Sequence, residues 1–173
     1  MGRTKPDHEI VFQITRDFSG IEFSARRLKR VVKMTCERFK LIRATVGIAI
    51  VDDREIRRLN RRFLKRNSAT DCLSFDLSDG QESPRLRKTG GAKGRRRPVR
   101  AFELVLNGER AVREAKQRGH SAEAELALYA VHGLLHNLGF DDSTEEGARL
   151  MHVTEDQILQ RHGYGSVYDV QRQ

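Results

Sequence analysis

Tryptophan is absent from the 173-residue chain, and aromatic residues of all kinds make up only 6%. Recognition of single strands by rings that stack on bases is therefore poorly supported. Cysteine is almost as scarce. Cys36 and Cys72 cannot make a disulfide framework, and they read as buried, reduced thiols in a cytosolic protein. No apolar run approaches the roughly 18 residues of a membrane span; the longest, Val46 to Val51, has six. The first residues, Met1-Gly2-Arg3-Thr4-Lys5-Pro6, lack the apolar core of a signal peptide, and Pro6 stands where a myristoylation site needs Ser or Thr. The expectation is a soluble cytoplasmic protein with no membrane partner. Its length suits one compact domain over residues 1–173, large enough to fold without a disulfide or metal staple.

Charge is what the chain has in excess. Thirty-three Lys and Arg against 24 Asp and Glu give +9, which points to an anionic partner but not to a chemistry. Residues 85–100 carry eight positive charges, no negative ones and three glycines, so the remainder nets only +1. That composition reads as a basic surface loop, inserted at about residues 78–100. Arg54 to Arg66 is a second basic stretch, with seven positive charges against Glu55. Residues 121–160 are acidic, with eight carboxylates against Arg149. The molecule is electrically two-sided.

Periodicity supplies the elements. Ile10, Phe12 and Ile14 alternate in a half-buried strand over Glu9 to Thr15. Ser24 caps a helix to about Lys40, with Leu28, Val31, Val32, Thr35 and Phe39 on one face. Thr45 to Val51 is the clearest strand. Asp52 caps the next helix, whose inner face is Ile56, Leu59, Asn60 and Phe63. Short strands follow at Cys72 to Leu77 and Phe102 to Leu106. Glu109 to Arg118 is helical up to Gly119, and Ser121 caps a helix from Ala122 to Leu138. The last helix starts at Ser143, where Ser143-Thr-Glu-Glu146 fits a capping box. Four strands and about five helices predict an α+β fold, a small mixed four-stranded sheet with helices packed over it. The 122–138 helix is apolar nearly all round, so it should be central and buried.

That helix also carries the chemistry. His132 and His136, at i and i+4, lie on one face and close enough to share a metal. Gly139 lets the chain turn, bringing Asp141 and Asp142 back towards them. Three protein ligands with one open position describe a catalytic zinc site. The spacing also suits two buried histidines bonded to backbone carbonyls, but the Gly and Asp-Asp that follow favour the metal. The residue after the first histidine is Gly133, not the Glu that serves as general base in His-Glu-x-x-His peptidases, which disfavours that class.

The segment His132-Gly-Leu-Leu-His136-Asn-Leu-Gly139-Phe-Asp141-Asp142 resembles the signature of the YbeY-type endoribonucleases, bacterial ribosomal RNA maturation factors. Val51-Asp-Asp-Arg-Glu-Ile56 with Leu59-Asn60, Thr70-Asp71-Cys72-Leu73-Ser74-Phe75, Glu114-Ala115-Lys116, and Met151, Glu155 and Ile158-Leu159 extend the likeness over about residues 45–160. The resemblance implies zinc held by His132, His136 and the position of the family's third histidine, which is Asp142 here. A carboxylate is a legitimate zinc ligand, though it weakens the metal as a Lewis acid and admits iron or manganese. The family's tyrosine is Phe140, its Gly-Asp-Ile strand is Phe102-Glu103-Leu104, and the arginine thought to face the phosphate is Leu64.

The resemblance implies a metal-dependent, single-strand-specific endoribonuclease of ribosomal RNA maturation and ribosome quality control, working with the small ribosomal subunit. Arg61 and Lys65 would contact phosphate, Thr70, Asp71 and Ser74 would shape the cleft, and Arg95, Arg96 and Arg97 of the basic loop would hold RNA. Leu64 and Asp142 favour an alternative, a ribosome-associated assembly factor that cleaves little. A two-His-one-carboxylate iron oxygenase fits the ligands but not the fold. His120, in a loop, and His162, at a helix end, read as solvated surface. His152 is the alternative third ligand.

Overall fold

The computed structural model describes residues 9–78 and 100–167. In chain order the elements are β1 (Glu9–Arg16), α1 (Ala25–Arg38), β2 (Arg43–Val51), α2 (Asp53–Leu64), β3 (Cys72–Asp76), β4 (Arg100–Asn107), α3 (Gly108–Arg118), α4 (Ala122–Asn137) and α5 (Glu145–Arg161). The sheet order is β1-β2-β4-β3. β1 runs parallel to β2, and β2 to β4; β3 pairs antiparallel with β4 at the edge. The expected α+β architecture with a mixed four-stranded sheet is what forms.

The two faces of the sheet are covered unequally. Ala44, Val46, Ile48 and Ile50 of β2 and Phe102, Leu104 and Leu106 of β4 alternate onto one face, where they join Leu28, Val31 and Val32 of α1 and most of α4. A smaller cluster of Val51, Ile56, Leu73 and Val105 lies under α2. α4 is enclosed by α1, α3, α5 and the sheet, so Leu126, Leu134 and Leu135 are essentially inaccessible to water. Each such leucine contributes about 1.5–3 kcal/mol by burial. Gly133 explains how α4 comes so close to the sheet. A Cβ there would lie 3.3 Å from Cys72 Sγ, Leu104 Cδ2 and Ser74 Cβ. The absent peptidase Glu has no room at this position.

Three local expectations are corrected. Phe63 is not on an inner face: it is 53% exposed and meets Phe75 of edge strand β3 edge-on. β3 is only five residues long, so the last turn of α2 has little sheet to cover. The cap of α5 is Thr144, whose hydroxyl accepts from Gly147 N–H, while Ser143 bonds to the Asp141 carboxylate. Arg100 belongs to β4, paired with Asp76, and not to the basic loop. The rest of that loop, with Arg95, Arg96 and Arg97, lies outside the described residues. Cys36 and Cys72 are free thiols. Burial raises both, Cys36 to about 12.

Candidate metal centre

The end of α4 builds the site. Phe140 N–H donates to Leu135 O and Gly139 N–H to His136 O, with Gly139 at φ +94°. This is the Schellman ending, in which the residue after the cap must be left-handed and is usually glycine. It reverses the chain so that the Phe140 carbonyl faces His136 Nδ1 at 3.2 Å. Two residues later Asp142 faces both imidazoles. Its Oδ1 lies 3.8 Å from His136 Nε2 and its Oδ2 3.9 Å from His132 Nε2. Asp141, by contrast, accepts from the backbone and hydroxyl of Ser143. Of the two neighbouring carboxylates, Asp142 is the one brought to the histidines.

The histidines are oriented from behind. Glu155, fully buried on α5, lies 2.7 Å from His132 Nδ1. With Nδ1–H donating to Glu155 and to the Phe140 carbonyl, each ring presents an unprotonated Nε2. The two Nε2 atoms are 3.1 Å apart. Two lone pairs at that separation repel unless a proton or a metal cation lies between them. Two nitrogens bound to a tetrahedral ion at about 2.0–2.1 Å would themselves be roughly 3.3 Å apart. The ligand atoms of His132, His136 and Asp142 all lie within 4.8 Å of one another, so these residues fit a metal ion. Burial lowers the His132 pKa, but the Glu155 hydrogen bond and the charges of Glu155, Asp71 and Asp142 outweigh it and hold the group above its usual value.

A cavity of about 270 Å³ opens beside His132 and Asp142. Asp71 lines it, oriented by Thr70 Oγ1 and Cys72 N–H, both of which donate to its Oδ1. The loop carrying Asp71 is pinned by Asn107, whose Nδ2 donates to Thr70 O while its Oδ1 caps α3. Ser74 lies against Gly133 under α4. Arg61 and Lys65 do not line the cavity; Lys65 ends α2 in the left-handed conformation and its Nζ donates to Arg62 O.

A scan against family models matches residues 13–163 to endoribonuclease YbeY. The chain belongs to the YbeY endoribonuclease family. It is 34% identical over 148 residues to the endoribonuclease YbeY of Caldanaerobacter subterraneus subsp. tengcongensis, spanning 85% of this chain and 90% of that one. The Desulforamulus reducens YbeY is 38% identical over 120 residues, 69% of this chain and 73% of the relative. The solution structure of a Thermotoga maritima protein shares the fold with TM-score 0.50 and 19% identity, over 88% of this chain and 91% of the other. Membership of the YbeY family makes the chain a hydrolase that cleaves RNA.

Several residues of this YbeY-family site escape sequence reasoning as functional. Glu155 does carry a signal: it is an acid on the apolar face formed by Met151, Ile158 and Leu159. Arg110, Arg118 and Tyr129 line the cavity, and only the tertiary packing of α3 on α4 puts the arginines there. His152 is exposed on the cavity rim and outside the ligand cluster. His120 is not solvated surface; its side chain is only 10% exposed, with Nε2 2.9 Å from Oε2 of buried Glu125. His162 is half-buried, its pKa lowered by burial and by Arg30 and Arg161.

Proposed function

We propose that this RNA hydrolase is metal-dependent and selective for single strands, that its ion is zinc bound by His132, His136 and Asp142, and that it acts in ribosomal RNA maturation and quality control at the small subunit in the cytoplasm. The observation that carries this reading is the facing pair of Nε2 atoms, 3.1 Å apart, each with its Nδ1 held from behind. Two imidazoles and one carboxylate, with room for a fourth ligand, suit zinc, while iron or manganese also accept such a set.

A divalent ion there supplies Lewis acidity towards a phosphoryl oxygen and a water of lowered pKa. The chain's own groups do the rest. Glu155 holds the His132 tautomer, and the Phe140 carbonyl does the same for His136. Asp142 reduces the net charge of the centre, which raises the pKa of a water there relative to an all-histidine set. No helix among the described residues is long and apolar enough to cross a membrane. Family membership does not favour the assembly-factor alternative. Cleavage of single- and double-stranded RNA, with chelator and with zinc restored, tests the reading. Chelator-sensitive cutting of single strands is expected; chelator-resistant cutting would contradict it.

A further inference from the structure

Arg110, Glu114 and Arg118 follow one another at i, i+4 and i+8 on α3, so the carboxylate lies between two guanidinium groups on one helical face. Glu114 is 3.5 Å from Arg110 Nε and 3.3 Å from Arg118 Nη2. Arg118 is further fixed by buried Glu125, 2.9 Å from its Nη1. Arg110 meets Glu114 through Nε, while its two Nη groups hydrogen-bond to none of the described residues, so their four donors remain for a ligand. Both arginines line the same cavity as His132 and Asp142. Tyr129 also lines it, but the residue is 4% exposed and its hydroxyl is buried against Glu125, so it belongs to the wall and not to the donors a ligand would meet.

We propose that Arg110 and Arg118 form a phosphate-binding patch in the cavity they share with the metal cluster, which takes a phosphodiester group of the RNA strand. The inference rests on the RNA-cleaving reading of the same site and assigns its anion contacts to α3 instead of the basic α2. A planar guanidinium matches two phosphate oxygens at once. Glu114 holds Arg110 by its Nε and leaves the Nη pair open, which lowers the ordering cost of binding, while Arg118, whose Nη1 and Nη2 donate to Glu125 and Glu114, adds its remaining N–H groups.

The test is equilibrium binding of a short 2′-O-methyl phosphorothioate single-stranded oligonucleotide, which resists cleavage, to the metal-loaded protein. It is run beside steady-state cleavage of ordinary RNA. Arg110→Gln should weaken binding about tenfold and raise KM by a similar factor with kcat within about twofold, the pattern of a contact made equally in ground and transition states. Metal content and melting temperature should not change. Arg118→Lys keeps a positive charge beside Glu125 but loses the fork, and should weaken binding without unfolding the protein. Arg113→Gln removes the same charge from the same helix at a residue paired with Asp53, outside the cavity lining, and should bind as wild type. Equal weakening by Arg110→Gln and Arg113→Gln, or none by either while wild type cleaves, would overturn the proposal. A wild-type protein that neither binds nor cleaves RNA would instead overturn the nuclease reading beneath it.

Discussion

Asp142 is the residue at which this chain departs most consequentially from the signature it resembles, and its position beside the two histidines is the one the proposed ligand role requires. Its oxygens stand 3.8 and 3.9 Å from the two Nε2 atoms, a few tenths of an ångström beyond what a shared ion would set, on a carboxylate 40% exposed and free to close that gap. Asp142→Ala should lower metal affinity by more than the roughly 10–100-fold typical of losing an outer-sphere partner, read by chelator competition. Asp142→His should retain the ion. Glu155→Gln keeps an oxygen for His132 Nδ1–H but removes the buried charge, so a loss of about tenfold is expected. Metal uptake should weaken as pH falls through the histidine range, because protons compete for the same nitrogens. The raised His132 pKa starts that loss at a higher pH than an ordinary histidine would. The sequence made His132 and His136 legible because their spacing is a local property of one helix. Spacing alone left Asp141 and Asp142 open, and the resemblance pointed to Asp142; the physical reason for that choice lies in the Schellman reversal and in Ser143.

At the scale of elements, the periods of 2 and 3.6 made the four strands and five helices of the described residues legible. What stayed hidden depends on where an element ends against its neighbours. Phe63 keeps helical spacing but overhangs a short edge strand, and the α5 cap moved by one residue because Asp141 engages Ser143. Thr144→Ala should therefore destabilise the protein by about 1 kcal/mol, measured by urea denaturation. Gly133→Ala should cost about 1–3 kcal/mol from overpacking, since its Cβ meets three atoms at 3.3 Å on the sheet side of α4. The contact that ties α2 to α3 predicts an acid limb. Burial pushes Asp53 up, but hydrogen bonds from Asn107 and Arg113 outweigh it and hold the carboxyl below its usual range. A carboxyl depressed in the folded state supports the fold above its unfolded pKa, and that support drains as pH falls through the folded value. Stability should thus decline below about pH 4, and Asp53→Asn should flatten that decline in a pH series of denaturation midpoints.

Across the whole molecule, the proposed division of labour sets basic stretches that hold RNA against the acidic region that carries the metal cluster. α1 adds to the basic side more than its sequence suggested, with Arg26, Arg27, Lys29, Arg30, Lys33 and Arg38 against Glu37. The 85–100 stretch carries eight charges, of which Arg100 is committed to Asp76. If about four of the others meet phosphate, log K should fall with log salt at a slope of roughly −3. Deleting residues 85–97 should flatten that slope and weaken binding more than it slows the chemical step. The central claim is that RNA cleavage runs through an ion held by His132, His136 and Asp142. The direct measurement is cleavage of single-stranded RNA by wild type and Asp142→Ala at matched protein concentration, each with its bound metal counted by elemental analysis. The account predicts about one ion per wild-type chain, with chelator-sensitive cleavage that the variant loses together with the ion. Wild-type protein that cleaves with no ion bound, or a variant that cleaves equally well without one, would contradict it.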